Sequence, residues 1–223
     1  MEKEIKSLFL SCGADVCGIG SVSRFENAPE GFSPVDLYPD CRSVITFGKA
    51  LPKGLLSVSS GLIYGHFNAM LCDVTDRIAL DAAVMLERDF LCRCVPVPSD
   101  DPYEEWDPQR MAGRGLLSMK HAAVLCGMGY FGKNTLFLHP QYGNRLVLGA
   151  VLTDLELASD LLMTKECPDT CGKCLRACPV QAIENGTVDQ KKCRINAYGK
   201  TTRGFDKVLC NQCRVVCPMG DGK

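Results

Sequence analysis

No stretch of the 223 residues approaches the roughly eighteen consecutive apolar residues of a membrane-spanning helix. The N-terminus, Met1-Glu2-Lys3-Glu4-Ile5-Lys6, opens acidic and lacks a basic region followed by an apolar core, so no secretory leader is expected. Histidine is scarce. His66, His121 and His139 are the only three, all in the first two thirds of the chain, which leaves the C-terminal part without a residue that zinc sites commonly recruit. A large excess of either charge is also missing, with 25 Lys and Arg against 26 Asp and Glu. Cysteine, by contrast, is abundant at fifteen residues. With no leader and no membrane span, these are expected to be reduced or metal-bound thiols of a cytoplasmic protein rather than disulfides.

The cysteines are unevenly placed: seven fall in residues 1–162 and eight in residues 163–223. Charge divides at the same point. Residues 163–223 carry eleven Lys and Arg against six Asp and Glu, which leaves residues 1–162 at −6. A basic segment of this kind can face nucleic acid, or it can offset the negative charge of thiolate-bound metal clusters. Compensation is the simpler reading, and no nucleic-acid partner is expected from it.

The C-terminal spacing is specific. The first run is Cys167-x3-Cys171-x2-Cys174-x3-Cys178-Pro179; the second is Cys193, then Cys210-x2-Cys213-x3-Cys217-Pro218. A [4Fe-4S] cube needs four thiolates converging on four corners. Closely spaced cysteines supply three of them, and the cysteine before proline serves the other cluster. By this crossing rule Cys167, Cys171, Cys174 and Cys217 hold one cluster, while Cys178, Cys193, Cys210 and Cys213 hold the second. The first gap is one residue longer than in bacterial ferredoxins, and sixteen residues separate Cys193 from Cys210. A pair of zinc sites shares the C-x2-C element, but zinc gives no reason for a proline after the last cysteine of each run. The other seven cysteines read as small buried hydrophobes.

Upstream, the pattern suggests an α+β domain over 1–162, with a ferredoxin-like 2[4Fe-4S] module over 163–223. Residues 2–12 read as a helix with Ile5, Leu8 and Phe9 on one face. Strands are expected at 14–22, 43–47, 92–97 and 145–152, the last an apolar run suited to a central position. Residues 62–90 repeat apolar side chains at three and four, as one long helix or two in succession. Residues 24–41 and 99–115 read as loops, and a helix is expected at 116–125. No internal repeat is found in this part.

Residues 121–135, His-Ala-Ala-Val-Leu-Cys-Gly-Met-Gly-Tyr-Phe-Gly-Lys-Asn-Thr, and 143–154, Gly-Asn-Arg-Leu-Val-Leu-Gly-Ala-Val-Leu-Thr-Asp, carry a family resemblance. They resemble the central motif of the epoxyqueuosine reductases, a helix ending in GxGWxGK followed by a strand reading FLGxxxTD. The similarity continues through the cysteine runs and Asp189-Gln-Lys-Lys-Cys193. It implies a nitroreductase-like, cobalamin-reductase-like α/β sandwich joined to the cluster module, a plan shared with reductive dehalogenases. By resemblance, Gly127, Gly129, Gly132 and Lys133 approach a cobalamin; FMN or no further cofactor are the alternatives. An electron donor such as a ferredoxin or flavodoxin is implied, and so is an oxidoreductase. The family's catalytic aspartate falls fourteen residues before the first motif glycine, where this chain has Gly113, and its motif tryptophan is Tyr130. The chain also stops six residues after Cys217, before the tRNA-associated region of full-length members. A substrate other than epoxyqueuosine is therefore expected. No D-x-H-x-x-G string offers a lower axial histidine, so any cobalamin is expected to bind without one.

A reductive site needs a proton donor, and the acidic, aromatic segment around Asp100, Asp101 and Tyr103 offers candidates; the plainer reading is a solvated loop. His121 reads as a core or capping residue, and Arg145 as a possible cationic contact to an anionic ligand.

Overall fold

The computed structural model describes residues 1–184 and 186–222. Helix α1 (Glu2–Ser11) begins with Glu2 and Glu4, which suit the positive end of its dipole, and buries Ile5, Leu8 and Phe9. Strand β1 (Val16–Ser21) follows. The expected loop over 24–41 contains one short helix, α2 (Pro34–Leu37), where the Asp36 carboxylate accepts from the Ser33 N–H at 2.9 Å. Beyond β2 (Ser43–Ala50), the long apolar repeat forms a single 30-residue helix, α3 (Gly61–Phe90). It stops at Leu91, which adopts a left-handed φ of 53°.

Strand β3 (Cys94–Val97) then enters the sheet. The expected loop at 99–115 is instead a hairpin of β4 (Tyr103–Asp107) and β5 (Ala112–Gly115). Its tip is closed by Asp107, whose carboxylate accepts from the N–H groups of Gln109 and Arg110 at 2.9 and 3.0 Å. Helix α4 (Met119–Leu125) leads into the short pair β6 (Tyr130–Phe131) and β7 (Phe137–Leu138), and then β8 (Leu146–Thr153).

The main sheet runs β1-β2-β8-β3 with antiparallel pairing throughout. Side chains alternate across it. Ile45, Phe47 and Val151 face α1 and α3, where they pack with Phe9, Ile78 and Leu86. Val44, Leu148, Ala150 and Leu152 face the other way and pack with Ala122, Ala123 and Cys126 around α4. Both faces of β8 are thus covered, which explains its nearly unbroken apolar run. The chain is α+β.

The remaining elements are short: α5 (Lys173–Ala177), β9 (Ile183–Glu184), β10 (Thr187–Val188), α6 (Gln190–Ala197), β11 (Tyr198–Lys200), β12 (Asp206–Val208) and α7 (Gln212–Val215). Strand β12 lies against the start of α3, so close that a Cβ on Gly61 would strike the Val208 carbonyl. Among the described residues no helix is long and apolar enough to cross a membrane.

Candidate functional site

The eight C-terminal cysteines fall into two neighbourhoods. Cys167, Cys171, Cys174 and Cys217 line one narrow recess, together with Gly132, Lys133, Asn134 and the prolines Pro168 and Pro218. Helix α5 carries Cys174 into it, and the turn after α7 carries Cys217. Burial pushes the Cys174 and Cys217 thiols up, and in each case Cys167 and Cys171 add to the effect. The second neighbourhood shows in the same way. Burial raises the Cys193 thiol, reinforced by Cys178 and Cys210. Burial pushes Cys213 up to about 11, with Cys193, Cys210 and, across the gap, Cys174 adding to it. The two groups are therefore adjacent, with Cys174 and Cys213 closest to the divide.

Among the described residues no three His, Cys, Asp or Glu side chains close around a single ion. A cubane asks for something different, four sulfurs standing apart around a body with its own corners. Four cysteines line one recess here, flanked by proline and by lysine, and are the donor set such a body would take. None of the fifteen cysteines, all described, is in a disulfide. Of the other seven, Cys41 and Cys126 are buried, and burial pushes their thiols up to about 11 and about 12. Cys12, Cys17, Cys72, Cys92 and Cys94 are half-buried.

The motif glycines are held by packing. Gly127 has φ +74°, a conformation that side chains rarely adopt, and a Cβ there would strike the Leu161 carbonyl. At Gly129 a Cβ would meet the Leu138 carbonyl and stand 2.6 Å from the Phe137 ring. Gly132 has Asn134 Oδ1 2.7 Å from the same position. The turn thus lets α4, β6 and β7 approach one another. Gly129→Ala is expected to lower the unfolding free energy by about 1–3 kcal/mol, the range of overpacked interiors, read as a fall in the thermal midpoint. Lys133 and Gly132 line an open cavity of about 440 Å³ together with Tyr130 and Phe131, while the lysine head is held at one side of it. Its ammonium donates to the carbonyls of Pro168, Asp169 and Cys171 at 3.1, 2.7 and 3.2 Å.

A cavity of about 290 Å³ opens between the 103–115 hairpin, α4 and α7. Asp100, Tyr103, Lys120, Asn144 and Arg214 line it; the 127–133 turn does not. Its volume is at the lower end of small-molecule sites. Asp100 touches solvent, yet loss of hydration and then the neighbouring Asp101 carboxylate push its carboxyl up, while Arg194 and the Tyr103 hydroxyl pull it back. Loss of hydration, then Arg214, pushes the Lys120 ammonium down. Asp101 is exposed and is not part of the cavity wall.

Tyr103 is fixed from three sides. Its ring stacks on Trp106, with centroids 5.8 Å apart. Arg194 lies over both rings, 5.9 Å from Tyr103 and 5.2 Å from Trp106, and donates to the Tyr103 hydroxyl at 3.3 Å. A Cβ on Gly113 would stand 2.7 Å from the Tyr103 ring. The ring therefore fills the space that a side chain at 113 would use. Arg194 follows Cys193 and Arg214 follows Cys213, so the cavity and the second cysteine group share a wall. Asn144 and Arg214 hold that wall together. The Asn144 amide donates to the Arg214 carbonyl at 2.9 Å, and the Arg214 guanidinium donates to the Asn144 carbonyl.

The remaining candidates have local tasks. His121 Nδ1 is 2.7 Å from Ser118 Oγ, and its ring packs on Phe131. His139 Nδ1 accepts from the N–H groups of Gln141 and Tyr142. Arg145 is 5% exposed and donates to the carbonyls of Leu51 and Asp221, which makes it an internal tie. Lys120, Asn144 and Arg214 escaped the sequence reading. Only Arg214 carried a signal, its place beside Cys213 in the second cysteine run.

No protein-family model matches the chain. It is 29% identical to the epoxyqueuosine reductase of Bacillus subtilis over 251 residues, which takes in 100% of this chain and 64% of that protein. It is 40% identical to the epoxyqueuosine reductase of Synechocystis sp. over 119 residues, 47% of this chain and 40% of the other. Among solved structures, an epoxyqueuosine reductase with an epoxyqueuosine-modified tRNA-Tyr stem loop superposes with a TM-score of 0.63 at 19% identity, covering 100% of this chain and 66% of that one. A reductive dehalogenase, whose structure suggests a mechanism for B12-dependent dehalogenation, superposes with a TM-score of 0.69 at 20% identity, over 96% of this chain and 31% of that one. The likeness to epoxyqueuosine reductases read from the sequence thus extends over the whole chain. The chain spans just under two thirds of the length of the Bacillus relatives, 64% and 65%.

Proposed function

We propose that the chain is an iron–sulfur oxidoreductase of the cytoplasm. In this reading residues 163–223 form a ferredoxin-like module with two [4Fe-4S] clusters, and residues 1–162 form a nitroreductase-like sandwich that presents an organic cofactor. The observation that carries the proposal is the recess at Cys167, Cys171, Cys174 and Cys217, which draws on both cysteine runs. The second group, Cys178, Cys193, Cys210 and Cys213, adjoins the cavity at Asp100 and Tyr103 through Arg194 and Arg214. A ferredoxin or flavodoxin is the electron donor this arrangement calls for.

The cofactor is a corrinoid of the cobalamin type, by likeness to the B12-dependent neighbour. When bound, it would supply a metal centre able to accept single electrons and cleave a substrate bond. The chain supplies the surroundings. Lys120 and Arg214 offer positive charge to an anionic substrate or cofactor edge. The Tyr103 hydroxyl, held by Arg194, and the Asp100 carboxyl, pushed up by its surroundings, stand where a proton can be delivered into the cavity. The Gly127–Lys133 turn, expected at the cofactor, supports this reading as scaffold: it fixes α4 and the first cysteine turn. With Gly113 under the Tyr103 ring, the substrate carries a reducible group other than epoxyqueuosine. The basic C-terminal segment was expected to offset cluster charge rather than meet nucleic acid, but one solved neighbour holds a tRNA stem loop, so such a stem loop belongs among the substrates tried.

Anaerobic reconstitution followed by iron, sulfide and cobalt analysis tests the reading. About eight irons per chain, with cobalt retained after addition of cobalamin, are expected. A retained flavin band instead of cobalt would make the cofactor FMN. Eight irons with neither would leave an electron carrier, and a chain that assembles no cluster would overturn the proposal.

A further inference from the structure

Lys133 closes the turn after β6 and lines the same recess as Cys167, Cys171, Cys174 and Cys217. An ammonium group has three protons. Each has an acceptor in one short stretch, the carbonyls of Pro168, Asp169 and Cys171. That stretch is the lengthened gap of the first run, three residues between Cys167 and Cys171 where bacterial ferredoxins have two. An extra residue in a tight turn adds a carbonyl that the turn cannot satisfy internally. Within the turn the Cys171 N–H donates to the Pro168 oxygen at 2.9 Å, and the lysine shares that oxygen while also taking those of Asp169 and Cys171. The anchor is itself anchored: the Lys133 carbonyl accepts from the Gly186 N–H at 3.0 Å, and the adjacent Asn134 amide donates to the Cys213 carbonyl at 2.9 Å.

We infer that Lys133 is the positioning residue for the lengthened Cys167–Cys171 turn, and the cation that sets the reduction potential of the cluster bound there. The inference rests on the two-cluster reading. Reduction adds an electron to a body already made negative by four thiolates, so a fixed positive charge at the rim favours the reduced form. Its effect falls off with distance, and Lys133 lines the first recess without lining the cavity beside the second group. The three hydrogen bonds act with the charge, since they fix the backbone that leads from Cys167 to Cys171.

The experiment is a redox titration of the reconstituted chain, followed by electron paramagnetic resonance, for the native protein, Lys133→Met and Lys133→Arg. Lys133→Met should move one of the two cluster signals to lower potential and leave the other in place; Lys133→Arg, which keeps the charge, should restore most of the shift. Should Lys133→Met fail to hold the first cluster, iron analysis gives the answer instead. Loss confined to about half the iron, with rescue by arginine, supports the assignment. Two unchanged potentials at full iron content, equal shifts in both, or loss of all iron would overturn it. Native protein that assembles no cluster would sink the two-cluster reading itself, a result distinct from any of these.

Discussion

The double substitution Cys174→Ser with Cys217→Ser should leave a chain that still assembles one cluster, with about four irons in place of about eight. The two residues belong to different runs, 43 positions apart. If each run held its own cluster, the pair of changes would break both, and no iron would remain. They line one recess, however, so both losses fall on the same four-cornered site. Serine oxygen is a harder and weaker ligand for iron–sulfur clusters than thiolate, so the damaged site should empty rather than rebuild. Cys174→Ser with Cys178→Ser is the complement. Both changed residues lie in the first run but in different quartets, so the iron should fall close to zero. Iron counts on the two double variants decide the partition without any assumption about potential or substrate. Retention of half the iron by the second variant would defeat the crossing assignment.

Phe47→Ala should cost about 3–5 kcal/mol of stability, the range for deleting a buried aromatic side chain. That is a large share of the roughly 5–15 kcal/mol that holds a domain folded. Phe47 is fully buried on β2, with the Phe9 ring 5.2 Å away. It also lies across the pair partner Gly149 on β8, where a Cβ would stand 2.5 Å from its ring and 2.8 Å from Thr75 Cγ2. The phenyl ring occupies the space that glycine leaves, so the two positions are one packing decision. Gly149→Ala alone should destabilise by overpacking. Combined with Phe47→Leu it should cost less than the two single changes added together, because a smaller side chain makes room for the new methyl. Urea unfolding of the chain followed by circular dichroism measures each term. An additive double variant would show that the sites do not share their space.

The sheet and its main helices were legible because burial leaves a periodic mark. Ile5, Leu8 and Phe9 mark α1, and the three-and-four spacing through Ile78, Ala82 and Leu86 marks α3 as far as its end. The grouping of Cys167, Cys171, Cys174 and Cys217 around one recess was expected from the gaps that convergence of thiolates on a cube demands. The 103–115 hairpin was not. Its proline and glycines read as loop, and it is held by Arg194, contributed from far along the chain. The glycine string is open to two readings, because a Cβ excluded by a carbonyl and a Cβ excluded by a cofactor leave the same letter. Lys133 illustrates the limit most clearly. Its residue type suggested a charged ligand, while its three acceptors lie more than thirty positions downstream, at separations of 35, 36 and 38. Local sequence carries no trace of such a pairing.

Trp106 is the only tryptophan in the chain, and it sits on the hairpin, half in solvent, stacked under a guanidinium on Tyr103, which lines the cavity. Ultraviolet excitation at the red edge of protein absorption therefore addresses a single position. Its emission is a native optical probe of the hairpin, reporting whatever enters or leaves the space beside it. No label has to be introduced, and the signal has no second source to be separated from.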